Sequence, residues 1–386
     1  MPRLLFIGVL VLAALAAAAC EDELAKKEDG ARRGGGPTDA LQVDASGWET
    51  DFAKHSVPLS EFLSGGPPRD GIPPVDEPKP TTQAEADEWL ADREPVLAVE
   101  VGDDEVRAYP LQILVWHEIV NDTLGGRPIA VTYCPLCNSS LVFDRRARGR
   151  TLTFGTTGNL RNSDLVMWDR QTESWWQQLT AEAVVGELTG TRLAVLPSQV
   201  VSWADFQRLH PDGDVLSRDT GVARDYGRNP YEGYDQPDSQ PFLFDGETDD
   251  RLPPKERVIA VFTPRETVVV PFSRLAQEPV VDIEAGGHPV VVLYKRGVSS
   301  PLDASSIADS RDVGTAVAFD RRVGGRTLSF KRRGAGFVDT QTGSRWNIAG
   351  RAVEGELAGE RLAAVRTDQQ FWFALAAFLP DARIEG

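Results

Sequence analysis

The sequence predicts an α+β fold, predominantly antiparallel β, built as two related lobes from an internal duplication. Three observations support this prediction: the chain length, the content of turn-forming residues, and a set of segments that occurs twice. A chain of 386 residues exceeds the size at which one hydrophobic core stops growing, which favours two structural units. Its 35 glycines and 26 prolines favour many turns and short strands over long helices.

The repeated segments follow the same order in both halves of the chain. They are 96–110 with 258–271, 125–134 with 286–295, 143–154 with 319–330, and 169–198 with 339–367. Ordered similarity over this length indicates one supersecondary unit present twice. We therefore expect a first lobe at residues 55–216, an ordered connecting loop at 217–256, and a second, degenerate lobe at 257–386.

The apolar pattern predicts the elements of each lobe. Apolar residues alternate from Val96 to Tyr109 as in a hairpin, and Pro110 then starts a short helix. The following elements are predicted as strands at 129–134, 139–144 and 150–155, and as terminal amphipathic helices at 203–211 and 369–380.

The N-terminus has the features of an exported lipoprotein. Residues 1–20 combine Arg3, an apolar stretch and a run of small residues that ends at Cys20, as in a lipoprotein signal peptide. Residues 21–54 are predicted as a flexible tether, because their first part is polar, charged and rich in glycine. We expect Cys20 to carry lipid on the extracytoplasmic side of a bacterial membrane; a plain secretory signal is the alternative.

Composition and missing motifs exclude several kinds of partner. A formal net charge of −17 repels phosphate backbones, so nucleic acid is not expected. No phosphate-cradling loop, Gly-x-Ser-x-Gly or His-Glu-x-x-His motif is present, so neither a nucleotide nor an enzyme class is assigned. Haem attachment requires histidine directly after the second cysteine of its motif, where Asn138 stands.

Cys134 and Cys137 form a Cys-x-x-Cys pair that occurs only in the first copy. Features shared by both copies are scaffold, so residues in one copy alone are candidates for a site. This spacing suits one metal ion or a reversible dithiol couple, whereas a loop so short gains little from a structural disulfide. His117, on the short helix, is predicted as the third ligand. Two sulfurs and an imidazole favour copper first and zinc second over calcium or magnesium.

A second group combines fixed charge, an amide and broad aromatic faces, as ligand pockets do. It consists of Arg161, Asn162, Asp164, Trp168 and Trp175. This group supports an alternative function, a sugar- or peptide-binding module in which the cysteines are only bridged. The other alternative is thiol–disulfide chemistry, which usually places the first cysteine at a helix N-terminus. Here a strand is predicted after the pair. A small ligand or a metal ion is thus the expected partner.

Five segments resemble the domain-of-unknown-function 3179 family. They are VTYCPLCNSSLVFDR (131–145), HEIVND (117–122), GGPPRDGIPPVDEP (65–78), DRQTESWWQ (169–177) and NPYEGYD (229–235). The resemblance covers about residues 55–260 closely, and His117, Cys134 and Cys137 fall on its motif positions. It implies a bacterial extracytoplasmic protein, often a lipoprotein, and no reaction. The second lobe departs from the pattern, so no site is expected there.

Overall fold

A computed structural model describes residues 40–102 and 105–386. The predicted signal peptide at 1–20, with Cys20, lies outside the described residues, as does the predicted tether up to residue 39. The described chain consists mainly of antiparallel sheets with a few short helices, which confirms the predicted α+β, predominantly β class. None of the helices in the described ranges combines the length and the apolar character that a membrane span requires.

The first half of the described chain forms three sheets and a two-stranded ribbon. Its strands are β1 (Phe62–Ser64), β2 (Pro80–Thr81), β3 (Pro95–Val101), β4 (Glu105–Pro110), β5 (Ile119–Leu124), β6 (Arg127–Cys134), β7 (Ser139–Asp144), β8 (Arg146–Ala147), β9 (Arg150–Thr151), β10 (Phe154–Arg161), β11 (Asp164–Asp169), β12 (Trp175–Gln177), β13 (Glu182–Val185), β14 (Val195–Leu196), β15 (Ser198–Ser202) and β16 (Asp214–Leu216). Its helices are α1 (Gln83–Ala86), α2 (Leu111–His117) and α3 (Trp203–Leu209). The strand orders are β15-β3-β4-β16-β2 in sheet 1, β14-β7-β6-β5 in sheet 2 and β1-β10-β11-β12-β13 in sheet 3.

The second half forms three corresponding sheets and a two-stranded ribbon. Its strands are β17 (Arg257–Phe262), β18 (Thr267–Pro271), β19 (Val280–Ala285), β20 (His288–Lys295), β21 (Thr315–Asp320), β22 (Arg322–Val323), β23 (Arg326–Thr327), β24 (Phe330–Arg333), β25 (Gly336–Asp339), β26 (Arg345–Trp346), β27 (Ala352–Glu354), β28 (Thr367–Phe371) and β29 (Arg383–Ile384). Its helices are α4 (Phe272–Leu275) and α5 (Trp372–Phe378). The orders are β28-β17-β18-β29, β19-β20-β21 and β24-β25-β26-β27.

Both halves run through the same succession of pairings. In each, a hairpin leads into a short helix, a second hairpin follows, and a late strand returns to pair with the first strand of the first hairpin, β15 with β3 and β28 with β17. A helix and one short strand then complete each half: α3 and β16 after β15, and α5 and β29 after β28. These helices match the predicted ones, although residues 369–371 extend β28 instead of starting α5. The common succession is what a duplication would produce, and the duplication itself stays a prediction.

Local sequence explains the part of the first half that leads to the cysteines. Pro110 precedes α2, and the apolar residues that follow it bury one face of the helix against sheets 1 and 2. Gly125 and Gly126 form the two-residue turn between β5 and β6 with φ of 55° and 73°. A type I′ turn requires positive φ at both positions, so glycine fits there without strain. The chain thereby runs from α2 through β5 and this turn into β6, the strand that carries Cys134.

The structure differs from the predicted tether over residues 40–54. Trp48 lies edge-on against Trp168 and Trp175, with ring centroids 5.5 and 5.2 Å apart. Phe52 contacts Trp175 at 5.2 Å, and the backbone NH of Glu49 donates to the Glu173 carboxylate. Scattered aromatic residues therefore anchor this segment to sheet 3, although its polar composition predicts a free chain.

The connecting loop, residues 217–256, has no helix or strand in the described structure and is held by hydrogen bonds to both halves. The backbone NH of Asn229 donates to Ser305 O, and the hydroxyl of Tyr234 donates to Leu136 O. Phe371 and Phe373 of the second half pack into the core of the first. The two halves thus share one hydrophobic core at the place where the cysteines lie.

Candidate functional site

The Cys-x-x-Cys pair forms the end of the hairpin between β6 and β7. Cys134 is the last residue of β6 and pairs with Ser139, the first residue of β7, so that a four-residue loop joins the strands. Asn138 completes this loop with φ of 53°, a conformation that asparagine adopts more readily than most residues. Both thiols are free and buried. A tight loop therefore holds two unbridged thiols at the core of the molecule.

Asp164 joins the two cysteines from the neighbouring sheet. Asn162 and Ser163 form the two-residue turn between β10 and β11, with φ of 52° and 62°, which places Asp164 at the start of β11. The Cys137 Sγ lies 3.4 Å from Asp164 Oδ1. One ligand atom from each of Cys134, Cys137 and Asp164 lies within 4.8 Å of the others. We call these three residues the Cys–Asp cluster; it could hold a metal ion.

Hydrogen bonds fix the Asp164 carboxylate in place. The side-chain amide of Gln177 and the backbone NH of Leu179 both donate to its Oδ2, the latter over 3.1 Å. Oδ1 is left to face Cys137. Burial raises the pKa of Asp164 to about 6, so this carboxyl is poised between its two protonation states near neutral pH.

Oxygen atoms that accept hydrogen bonds lie next to both thiols. The Ser163 carbonyl oxygen lies 3.9 Å from the Cys134 Sγ and 3.5 Å from the Cys137 Sγ, and Asp164 adds the carboxylate oxygen. Burial raises the pKa of both thiols, that of Cys137 well above its ordinary value. A thiolate at Cys137 would face the oxygen atoms of Ser163 and Asp164, whereas a thiolate at Cys134 would accept hydrogen bonds from Cys137. A cation between sulfur and oxygen would remove that repulsion.

His117 does not belong to the cluster, so the predicted Cys–Cys–His triad is wrong in its third member. Its Nδ1 donates to Pro73 O over 2.7 Å, and its Nε2 accepts from the Tyr226 hydroxyl over 2.6 Å. Both ring nitrogens are thus engaged in fixing the helix end to two loops. Burial also lowers the pKa of His117, which favours this neutral form. Spacing along the chain does not reveal which way a helix-terminal ring points.

Glu118, the residue after His117, is the acidic group that sequence reasoning missed. It ends α2 with φ of 59° and ψ of −31°, a combination that residues other than glycine rarely adopt and that tends to occur at functional positions. The residue is buried, and no hydrogen bond from a described residue acts on its carboxyl. Burial and the Asp164 charge raise its pKa to about 8. The available signal was its place in the motif 117–122.

The predicted ligand pocket does not form as a unit. Arg161 is engaged in an ion pair with Glu61, with 2.6 Å between Nη2 and Oε2. Asn162 serves the β10–β11 turn. Trp168 and Trp175 lie in the core cluster beneath residues 40–54, where the Trp168 indole donates to Asp70. Of the five predicted residues, only Asp164 reaches the cysteines, because it stands at the start of β11, beside the cysteine loop.

The second half contributes a wall of the site. The hydroxyl of Ser139 donates to Asp368 Oδ2 over 2.9 Å, and the backbone NH of Phe371 donates to Cys137 O over 2.8 Å. Burial raises the pKa of Asp368 to about 8. No sequence feature indicates this contact, since Asp368 lies more than 200 residues further along the chain. The cysteine loop is therefore enclosed by both halves.

A cavity of about 590 Å³ adjoins the cluster. Its inner wall includes Glu118 and the chain neighbours of the cluster residues, Leu136 and Leu165. Its outer wall comes from the connecting loop, through Tyr231 and residues 240–243. The loop therefore covers the site.

Comparison with known proteins identifies the family. The model of a family described as "Protein of unknown function (DUF3179)" matches residues 69–382. No curated protein and no solved structure matches the chain. The family match extends well beyond residue 260, so the expectation that the second half departs from the family pattern is corrected. Since the match covers most of its length, the chain belongs to this family of unknown function.

Proposed function

We propose that this protein is an extracytoplasmic lipoprotein that binds one zinc ion through Cys134, Cys137 and Asp164. The observation that carries the proposal is the spacing of the buried ligand atoms. A tetrahedral zinc ion with its usual bonds to sulfur and oxygen sets those two ligand atoms about 3.5 Å apart. The Cys137 Sγ and Asp164 Oδ1 are 3.4 Å apart without any ion. The cluster therefore needs little rearrangement to accept one.

Zinc is a better match than copper for the ligands that the fold brings together. The sequence favours copper because it offers two sulfurs and an imidazole. With Asp164 in the position expected for His117, the third ligand is a hard oxygen. Zinc accepts mixed thiolate and carboxylate ligands, whereas cuprous copper prefers sulfur. Two thiolates also disfavour calcium and magnesium, which take oxygen ligands.

The two alternative functions have less support. A redox dithiol needs a stabilised thiolate, but here burial raises the pKa of both thiols and the pair lies in a β-hairpin loop. A sugar- or peptide-binding module needs accessible aromatic faces. Trp168 and Trp175 are almost completely buried. Neither alternative explains why a carboxylate is fixed beside two free thiols.

The cellular location rests on the N-terminal sequence. Cys20 directly follows a run of small residues after an apolar stretch. In bacterial lipoproteins a signal peptide of this kind is cleaved before the cysteine, and the cysteine then carries lipid. Residues 21–39 then separate the lipid from the first packed segment. We therefore place the zinc site outside the cytoplasm, a short tether away from a membrane surface. Mass spectrometry of the mature N-terminus in the producing bacterium tests this location.

Metal stoichiometry tests the proposed function. Protein beginning at residue 40, reduced and reconstituted with zinc, should retain about one equivalent by elemental analysis after desalting. The double variant Cys134→Ser/Cys137→Ser should retain none and should lose the thermal stabilisation that zinc confers on the parent protein.

The matched control is Asp368→Asn, which removes a buried carboxylate near the cluster that is not one of its ligands. This variant should bind zinc as the parent does. Circular dichroism establishes that each variant is folded before its metal content is compared. Zinc retained at one equivalent by the folded double-serine variant would contradict the proposal.

A further inference from the structure

The cavity beside the Cys–Asp cluster combines an acidic inner end with an aromatic and apolar body. Tyr231, Tyr234 and Phe242 supply the aromatic rings, and most of the other lining residues are apolar. Glu118 is the acidic residue of the lining, and no lysine, arginine or histidine of the described chain lines it. Small-molecule sites are typically such largely apolar cavities with a few polar groups at one place.

The carboxyl of Glu118 is available to a ligand. Glu118 is 8% exposed as a residue, and no hydrogen bond from a described residue acts on its carboxyl. Buried carboxyl groups are almost always hydrogen-bonded, so an unpartnered one at a cavity needs an explanation. The charged neighbour that acts on it is Asp164, which is another acid. The group that complements this end is therefore a cation.

The aromatic rings suit the same kind of ligand. The ring centroids of Tyr231 and Tyr234 are 6.5 Å apart, and the two ring planes are inclined at 66°. Aromatic faces around a carboxylate attract organic ammonium ions through cation–π contacts. Lys255 Nζ already lies 3.4 Å from the Tyr234 ring centroid, so a ligand would use mainly Tyr231 and Phe242. Phe242 is half exposed and marks the mouth of the cavity.

We propose that this cavity binds a small organic ammonium ion, with the nitrogen at Glu118 and an apolar body against the aromatic rings. The metal ion and the ammonium ligand would occupy separate places, because the Cys–Asp cluster residues are not part of the cavity lining. The inference therefore stands whether or not the cluster holds zinc.

A pair of probes of equal shape tests the charge requirement. Calorimetry at about pH 9, above the pKa of about 8 at which Glu118 ionises, should compare 4-phenylbutylamine with 4-phenylbutan-1-ol on the protein beginning at residue 40, both metal-free and zinc-loaded. A charged hydrogen bond in a buried site favours the amine by roughly tenfold or more. The variant Glu118→Gln should reduce this preference to about one, whereas Glu232→Gln, which removes an exposed charge from the same loop, should preserve it.

A second variant keeps the test decisive if Glu118→Gln does not fold. Phe242→Ala removes a ring from the exposed mouth without opening the core, and should weaken both probes several-fold at an unchanged ratio. Failure of the parent protein to bind either probe would overturn the inference. So would equal binding of the alcohol and the amine, or an amine preference that survives in Glu118→Gln. Zinc content, measured on the same samples, reports separately on the proposed metal site.

Discussion

Replacement of Asp368 by asparagine should make the protein more stable at neutral pH. The carboxyl is buried with one oxygen, Oδ1, that has no hydrogen-bond partner, and burial raises its pKa from 3.8 to about 8. The folded state therefore holds a proton on Asp368 at pH values where the unfolded state has released it. Between these pKa values the unfolded state binds fewer protons, so stability falls as pH rises.

The size of the effect follows from the same shift in pKa. Each pH unit within the window changes the free energy of unfolding by about 1.4 kcal/mol. Between about pH 4 and pH 7, Asp368 should therefore lower the free energy of unfolding by up to about 4 kcal/mol. This is an upper limit, because water that enters the site reduces the free-energy cost of a buried charge. Asparagine has the same shape, accepts from Ser139 and does not ionise.

Urea unfolding of metal-free parent and Asp368→Asn protein, measured in a chelator at several pH values, checks this prediction. The difference between the two proteins reports the titration of Asp368, including its interaction with the Asp164 charge. We expect equal stability near pH 4 and a growing advantage of the variant toward pH 7. A difference that does not change with pH would refute the reasoning, since it would show that Asp368 titrates alike in both states.

Three further predictions concern the fold. Asp144→Asn should lower the free energy of unfolding by about 1–3 kcal/mol at neutral pH and by less below about pH 4, because Arg146 and Arg127 hold the pKa of Asp144 low. Urea unfolding at several pH values checks this, and a loss of stability that does not change with pH would contradict it. Gly158→Ala should lower the free energy of unfolding by at least about 2 kcal/mol, since a Cβ there would lie 2.0 Å from Pro67 O. Gly126→Ala should lower it by less, because no atom lies within 4 Å of the Cβ that it would add. Truncation after residue 256 should yield protein that aggregates or unfolds at a lower temperature, because it exposes the part of the first-half core that the second half covers. A truncated protein that stays monomeric and equally stable would contradict this prediction.

Local patterns in the sequence predicted the elements that carry the site. Pro110 and the apolar face after it define α2, and glycine pairs define the hairpin turns. The comparison between the two copies singled out Cys134, Cys137 and Asp164 as residues of the first copy alone, and His117, Arg161 and Asn162 with them; their role as a site stays a prediction. Helices, strands and turns can be predicted in this way because turn chemistry and apolar periodicity act over a few residues.

The grouping of side chains could not be predicted in the same way. His117 and Glu118 are adjacent, yet the ring is used in a loop contact and the carboxyl faces the cavity, because the backbone turns at Glu118 through an uncommon conformation. Asp164 and Asp368 approach the cysteine hairpin from other sheets. Such contacts depend on how the sheets pack against one another, and this packing cannot be deduced from local patterns in a single sequence.

The central claim is that the third metal ligand is Asp164 and not His117. Its most direct test is the zinc affinity of Asp164→Asn beside that of His117→Gln, each measured by competition with a chromophoric chelator. We expect Asp164→Asn to weaken zinc binding beyond the roughly 10–100-fold that loss of an outer hydrogen-bond partner causes, and His117→Gln to leave the affinity within a few-fold of the parent. Strong zinc binding by folded Asp164→Asn, with binding lost in His117→Gln, would contradict the account.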